Sequence, residues 1–265
     1  MLLVPADSIR WRTGAHRVTR WLIAGASGVV GRYVMDRLLN TGVRLRLLSF
    51  GGLQSQDDRV EVIRWEPATV RSSGEAALAP IIEAMNGIDV VLNLAGHSLG
   101  SGRLGRRHRQ RVLQSRLDAT DLLVAAWQGA ATPPTRWIQA SAVGYYGDTG
   151  RQWVDEDSPS GALFLSEVCR RWEQAVQPVI AAGCPTSLLR LGLILAPDAP
   201  AIVRMLRPIR LGLGGRLGSG EQFWPWITAV DTAAAIEHLA GSDHGGPINL
   251  VAPGVITQLE FTREV

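Results

Sequence analysis

The run Trp21-Leu22-Ile23-Ala24-Gly25-Ala26-Ser27-Gly28-Val29-Val30-Gly31 constrains the chain more than any other stretch. Trp21 to Ala24 is apolar at every position, the pattern of a parallel strand buried on both faces. Three glycines at three-residue intervals then lead into a helical pattern. In a strand–turn–helix unit that binds a dinucleotide, the three glycines do different things. Gly25 makes the tight turn, Gly28 lets the backbone approach a pyrophosphate, and Gly31 lets the helix pack close to the strand. The helix start offers free N–H groups and its positive dipole end to the phosphates. The alternative is a glycine turn used only for packing. The preceding strand, the helix and a second strand beyond it favour the cofactor cradle, Gly25 to Gly31.

Composition narrows the chemistry. All 27 basic residues are arginine, so no reaction that needs an ammonium group is open to this chain. A net charge of +3 is too small to imply a nucleic-acid partner. Two cysteines make no disulfide framework, and no Cys/His spacing suggests a metal, so a reducing, cytoplasmic setting is expected. No apolar run reaches membrane-spanning length, and no membrane partner is expected. Residues 1–18 read as a basic tail, because Arg10, Arg12 and Arg17 flank no continuous apolar core.

Strands and helices alternate along the rest of the chain. Strands are expected at 43–49, 60–65, 89–96, 136–143, 186–195 and 247–251, and helices between most of them. Leu163 to Ala182 reads as one helix and residues 148–161 as a loop. The fold class is therefore α/β, a Rossmann-like doubly wound parallel sheet with a small C-terminal substrate-side region. Residues 19–265 form a single domain, in which 197–228 and 247–265 contribute the substrate-side lobe. In this topology Asn93, Leu94, Ala95 and Gly96, at the end of the fourth strand, lie beside the first strand and border the nucleotide.

The second strand ends Leu48-Ser49-Phe50, without the carboxylate that holds a ribose 2′-hydroxyl in NAD-preferring proteins. Ser49 and Phe50 are expected at the adenosine end, and NADP is favoured over NAD, with Arg32, Arg44 or Arg46 as candidates to grip the 2′-phosphate. The basic block Arg103, Arg106, Arg107, His108, Arg109, Arg111 and Arg116 reads first as a solvated helix face. Its sharper reading is a site for an anionic small-molecule substrate. Nucleic acid is disfavoured, since no aromatic residues interleave the arginines.

With these segments placed, the chain resembles the extended branch of the short-chain dehydrogenase/reductase superfamily, similar to nucleotide-sugar epimerases. More narrowly it resembles the atypical "epimerase family protein" group of uncertain substrate. The resemblance rests on four motifs: Gly25/Gly28/Gly31, Asn93-Leu94-Ala95-Gly96, Ser141-Ala142-Val143-Gly144-Tyr145-Tyr146-Gly147, and the distal run from Gly212-Leu213-Gly214-Gly215 to Pro225-Trp226-Ile227. Ser115-Arg116 and Trp172-Glu173 also match. Members of the group usually continue with another helical segment, so this chain looks C-terminally short. The resemblance implies cofactor binding more securely than proton transfer. Where extended members carry Tyr-x-x-x-Lys, this chain reads Phe164-Leu165-Ser166-Glu167-Val168. Ser141, Tyr145 and Tyr146 are the remaining hydroxyl candidates for the proton, beside His97 and an ordered water, with Ser141 also near the cofactor. His97, Arg103, Trp224 and Trp226 are expected on the substrate side, and Met205 to Trp226 either as a lid or as a static surface loop whose tryptophans complete the core. The expected function is an NADP(H)-binding oxidoreductase- or epimerase-like protein, monomeric or a homodimer. A non-catalytic NADP(H)-sensing module and a true nucleotide-sugar epimerase are the alternatives.

Overall fold

The computed structural model describes residues 2–3, 19–68, 75–103, 105–209, 215–216 and 218–264. The first strand of the central sheet, β1 (Arg20–Ala24), is buried from Trp21 onward, as its unbroken apolar run requires. The other strands are β2 (Arg44–Ser49), β3 (Val60–Arg64), β4 (Val90–Asn93), β5 (Arg136–Ala142), β6 (Thr186–Leu191) and β7 (Gly246–Leu250). All seven are parallel, in the order β7-β6-β5-β4-β1-β2-β3. The chain runs outward from β1 to β3 and then returns to the other side of β1. The direction of winding thus reverses between β1 and β4, and sheets of this kind bind ligands outside the carboxyl ends of the strands at that point.

Side-chain alternation sorts the strands' residues onto two faces. On one, Ile23, Leu45, Leu47, Leu92, Ile138 and Leu189 pack with α1 (Val29–Leu39) and α7 (Ala229–Ala240). On the other, Leu22, Ala24, Leu48, Val91, Trp137 and Leu188 pack under α2 (Glu75–Met85), α3 (Arg106–Gly129) and α5 (Gln177–Ala181). The helix α4 (Phe164–Ala175) lies against α3 and β5. The single helix expected over 163–182 is therefore two, divided at Val176 just ahead of Pro178, whose ring a helix interior rejects.

The apolar run from Thr186 to Leu195 is also two strands rather than one. β6 ends at Leu191, the chain turns at Gly192, and Leu193–Leu195 pairs in parallel with Trp226–Thr228 outside the main sheet. A Cβ at Gly192 would stand 2.8 Å from the Pro225 carbonyl oxygen. α6 (Pro200–Pro208) follows, so Met205 to Pro208, expected in the glycine-rich lid, is helical. Residues 210–214 and 217 of that segment lie outside the described residues. Phe223–Trp224 pairs with Ile256–Thr257 ahead of α8 (Gln258–Glu264). Ala196, Ala199, Ile202, Ala229 and Phe261 form the small core of this region. Of the basic tail expected over residues 1–18, Leu2–Leu3 alone is described; it pairs with Trp153–Val154, inside the stretch expected as a loop.

Gly25 and Gly42 separate strain from crowding. Gly25 has φ +89°, and a Cβ there would lie 2.7 Å from the Leu94 carbonyl carbon, a backbone atom that cannot step aside. Gly42 has φ +79° with nothing within 4 Å. Gly42→Ala is expected to cost about 1–2 kcal/mol. Gly25→Ala is expected to cost about 3 kcal/mol or more, strain and overlap together. Denaturant unfolding of the two variants measures the difference.

Candidate functional site

The turn from β1 into α1 shows three glycines with three physical reasons. Gly25 presses on the backbone at the end of β4, and a Cβ at Gly31 would lie 2.5–2.7 Å from Gly25 and Ala26 backbone atoms. At Gly28 a Cβ would meet one atom within 4 Å, the Gly25 carbonyl oxygen at 3.3 Å, so this glycine is far less crowded than the other two. Gly28 is the N-cap of α1; no side chain caps that end and no acid stands in the first turn. Ala26 is buried, Ser27 and Gly28 are exposed, and Val29 and Val30 are half-buried along the rim. Four amides start a helix without intrahelical partners. Here they open onto the switch point with the dipole's positive end.

The end of β4 forms the opposite wall. Leu94 N donates to the Ala24 carbonyl at 2.8 Å, stitching the two strand ends together. Asn93 is fully buried: its Nδ2 donates to Thr120 Oγ1 and Gln139 Oε1, and its Oδ1 accepts from Ala95 N at 3.1 Å. Its side chain therefore holds the 93–96 turn from behind, and Leu94, Ala95 and Gly96 present backbone to the crevice. Gly96 leaves room for Arg116, whose Nη1 donates to the carbonyls of His97 and Val112. Arg116 is stacked on Trp172. His97 shares a hydrogen bond with Ser101 through Nε2 at 2.9 Å. Burial and then Arg111, His108 and Arg116 depress its pKa, so the ring stays neutral at the crevice rim. Arg103 is exposed, and the arginines that open α3 point largely to solvent.

The three proton-transfer candidates do not share one environment. Ser141 is buried and donates to Glu173 Oε1 at 2.6 Å. Glu173 in turn takes a two-pronged ion pair from Arg190, Nε and Nη2 each at 3.1 Å. Arg190 Nη1 also donates to the Tyr146 hydroxyl at 2.8 Å and to the Glu156 carbonyl at 2.9 Å. The Tyr146 hydroxyl donates in turn to Asn249 Oδ1 at 2.6 Å. Burial raises the Tyr146 pKa, with Arg190 pulling the other way. Burial works against the charge on Arg190, but Glu173 outweighs it and raises its pKa. Ser141 and Tyr146 are thus tied into a buried network. Tyr145 is different: it is half-buried, its hydroxyl has no hydrogen-bond partner among the described residues, and its ring centroid lies 3.6 Å from the Arg190 guanidinium carbon. Cys169, beside this network, has its pKa pushed up to about 11 by burial and by Glu173, which makes it no nucleophile.

Two candidates for the 2′-phosphate are overturned by topology. Arg44 opens β2 opposite Arg20, at the amino end of the sheet and away from the crevice. Arg46 is committed to Glu61 and to the carbonyls of Ala84 and Asn86. Arg32 does stand near the cradle, donating to the Ser27 carbonyl and paired with Asp198. At the end of β2, Ser49 is buried and Phe50 is 67% exposed. On the substrate side, Trp224 and Phe223 join Gly144, Asp148, Arg151 and Glu221 around a cleft of about 450 Å³. Trp224 also packs on Phe261, and Trp226 turns its indole N–H into the interior without a hydrogen-bond partner among the described residues. Among the described residues no group of His, Cys, Asp or Glu is placed to hold a metal ion, and no helix is long and apolar enough to cross a membrane.

The Glu173–Arg190 pair went unread as a site from the sequence. The signal was present: Glu173 falls on the stripe Ser166, Cys169, Trp172 that α4 buries, and Arg190 interrupts an apolar strand. Buried charges of opposite sign in two apolar contexts call for each other.

Comparison with known proteins agrees with this geometry. The profile of the NAD dependent epimerase/dehydratase family matches residues 21–250. The chain is 34% identical to an epimerase family protein of Mycobacterium leprae over 91% of its length and 74% of that protein's. It is 35% identical to the mouse epimerase family protein SDR39U1, over 92% and 78% of the two chains. The crystal structure of human SDR39U1 with NADPH superposes with a TM-score of 0.76 at 30% identity, covering 92% of this chain and 77% of that one.

Glu173→Ala would strand the buried Arg190 charge and release Ser141. A loss of about 3–5 kcal/mol is expected in denaturant unfolding. A change below about 1 kcal/mol would show that the network does not hold the β5–β6 end of the site together.

Proposed function

Because the chain belongs to the NAD dependent epimerase/dehydratase family, we propose that it binds NADP(H) in the crevice between β1 and β4. The observation that carries this reading is the lightly crowded Gly28 at the uncapped start of α1, where a Cβ would meet one atom within 4 Å. Gly28, Val29 and Val30 would hold the pyrophosphate through backbone amides. Leu94, Ala95 and Gly96 would line the dinucleotide's path along the strand ends, with Ser49 and Phe50 at the adenosine end. A nicotinamide held there supplies hydride exchange with a small-molecule carbonyl or carbinol, an oxidoreductase- or epimerase-type reaction.

Tyr145 is the proton carrier in this reading. It stands at the carboxyl end of β5 with its hydroxyl uncommitted, whereas Ser141 and Tyr146 spend theirs on Glu173 and Asn249. The guanidinium under the Tyr145 ring favours the negative charge that proton donation would leave there. Glu173 and Ser141 then act as positioning groups, holding Arg190 in place. The cleft beyond, with Trp224 and Phe223 beside Asp148, Glu221 and Gln222, suits a hydroxyl-bearing substrate. It contains one arginine, Arg151, so an anionic group on the substrate would be met there.

A second reading, a non-catalytic module that senses NADP(H), is favoured by one observation: Phe164 and Val168, at the two ends of the place of Tyr-x-x-x-Lys, supply neither hydroxyl nor ammonium. Cofactor consumption across a panel of carbonyl and carbinol compounds, nucleotide sugars among them, separates the two.

NADPH is expected to bind at least about tenfold more tightly than NADH in a fluorescence titration. Gly28→Val should abolish binding of both while leaving the circular dichroism spectrum unchanged, since a Cβ there meets only the Gly25 carbonyl oxygen, at 3.3 Å. Unaltered affinity in that variant would remove the cradle from residues 25–31. With a turned-over compound in hand, Tyr145→Phe is expected to lower kcat by about 10²-fold or more and to leave NADPH affinity within about twofold. A kcat close to wild type would pass the proton to water.

A further inference from the structure

We propose that Arg64, at the end of the third strand, is the residue that reads the 2′-phosphate of NADP(H), with the Ser49 hydroxyl beside it. The proposal rests on the reading that the crevice holds this cofactor. It answers a question the sequence left open: the second strand ends without an acid, yet no arginine follows it.

Three observations place Arg64 there. First, β2 and β3 pair in parallel register with Ser49 opposite Arg64, both at the carboxyl ends of their strands, the crevice end of the sheet. Trp65 N donates to the Ser49 carbonyl at 3.0 Å, which holds the two strand ends together past the last pair. Second, alternation fixes the face. Leu47 and Val62, two residues earlier on each strand and likewise opposite each other, pack into the core beneath α1. Ser49 and Arg64 therefore extend from the same face as α1, whose open N-terminus is the proposed pyrophosphate seat. Third, Arg64 is exposed, and neither its guanidinium nor the Ser49 hydroxyl has a hydrogen-bond or ion-pair partner among the described residues.

The competing cations are spoken for or misplaced. Arg44 lies at the opposite end of the sheet, and Arg46 caps the end of α2 on the opposite face. Arg32 is held by Asp198 and the Ser27 carbonyl. Neighbouring strands lie about 4.8 Å apart, so a long arginine side chain on β3 reaches the space in front of the end of β2. Its fork can take two phosphate oxygens at once, while the small Ser49 side chain leaves room for them and a carboxylate in its place would repel them. The discriminating charge thus comes from one strand further out than the usual position at the end of the second strand.

The test is a fluorescence titration of the full chain with NADPH and with NADH, for wild type, Arg64→Ala and Arg64→Lys. The expected result is a loss of about tenfold or more in NADPH affinity for Arg64→Ala, with NADH affinity within about twofold of wild type. Arg64→Lys should recover part of the loss, as a point charge without the fork. Competition by 2′-AMP against bound NADPH, expected for wild type and lost in Arg64→Ala, reads the same contact independently. Wild-type protein that binds NADPH while Arg64→Ala binds it equally well overturns the proposal alone. An equal loss for both dinucleotides also overturns it, because a structural role has no reason to spare NADH. Wild-type protein that binds neither dinucleotide overturns the reading beneath it and the proposal with it.

Discussion

Gly25 meets the Leu94 peptide, and Gly31 meets Gly25 and Ala26, at distances where any Cβ would overlap main-chain atoms. That contact brings α1 down onto β1 and β1 against the turn after β4, with the Leu94 N–H to Ala24 carbonyl bond sealing the junction. The open N-terminus of α1, the backbone of 94–96 and the floor between them all take their positions from it. Protein interiors do not give way to an extra methyl group at such a place, because the neighbours are backbone rather than pliable side chains. Gly28 sits in the same turn without that degree of overlap: a Cβ there would meet one atom within 4 Å, the Gly25 carbonyl oxygen at 3.3 Å.

A second constraint governs the other half of the site. Glu173 and Arg190 are both nearly inaccessible, and charges in that environment are tolerated only when fully paired. Their pairing recruits Ser141, Tyr146, Asn249 and the Glu156 carbonyl into one network spanning β5, β6, β7 and α4. The consequence is a division of labour among three hydroxyls that look alike in sequence. Two are consumed in holding the frame, and Tyr145 remains at its edge over the cation. A chain without lysine thus keeps a fixed positive charge near the end of β5 by burying a guanidinium. The planar fork suits that position because it meets both carboxylate oxygens at once.

The glycine turn, the alternation of strand and helix, the absence of an acid at Ser49 and the Asn93 to Gly96 turn were legible in the sequence because each is local. Periodicity reports which faces are buried, and glycine spacing reports where backbone must come close, before any partner is known. The family relationship was legible for the same reason. Three kinds of information had no local signature. An apolar run does not say where it changes partner, so the break at Gly192, which sends Leu193–Leu195 to Trp226–Thr228, awaited the fold. An arginine in a strand looks the same at either end of a sheet, and only register separated Arg44 at the amino edge from Arg64 at the carboxyl edge. A hydroxyl's availability depends on what meets it, and the partners of Ser141 and Tyr146 come from residues 32 and 103 positions away. Sequence by itself determined the fold class, the glycine turn between β1 and α1 and the absence of lysine, since those follow from residue type and spacing. Tertiary structure decided which charges and hydroxyls remain free at the crevice, because pairing across long sequence separations exists only once the sheet is assembled.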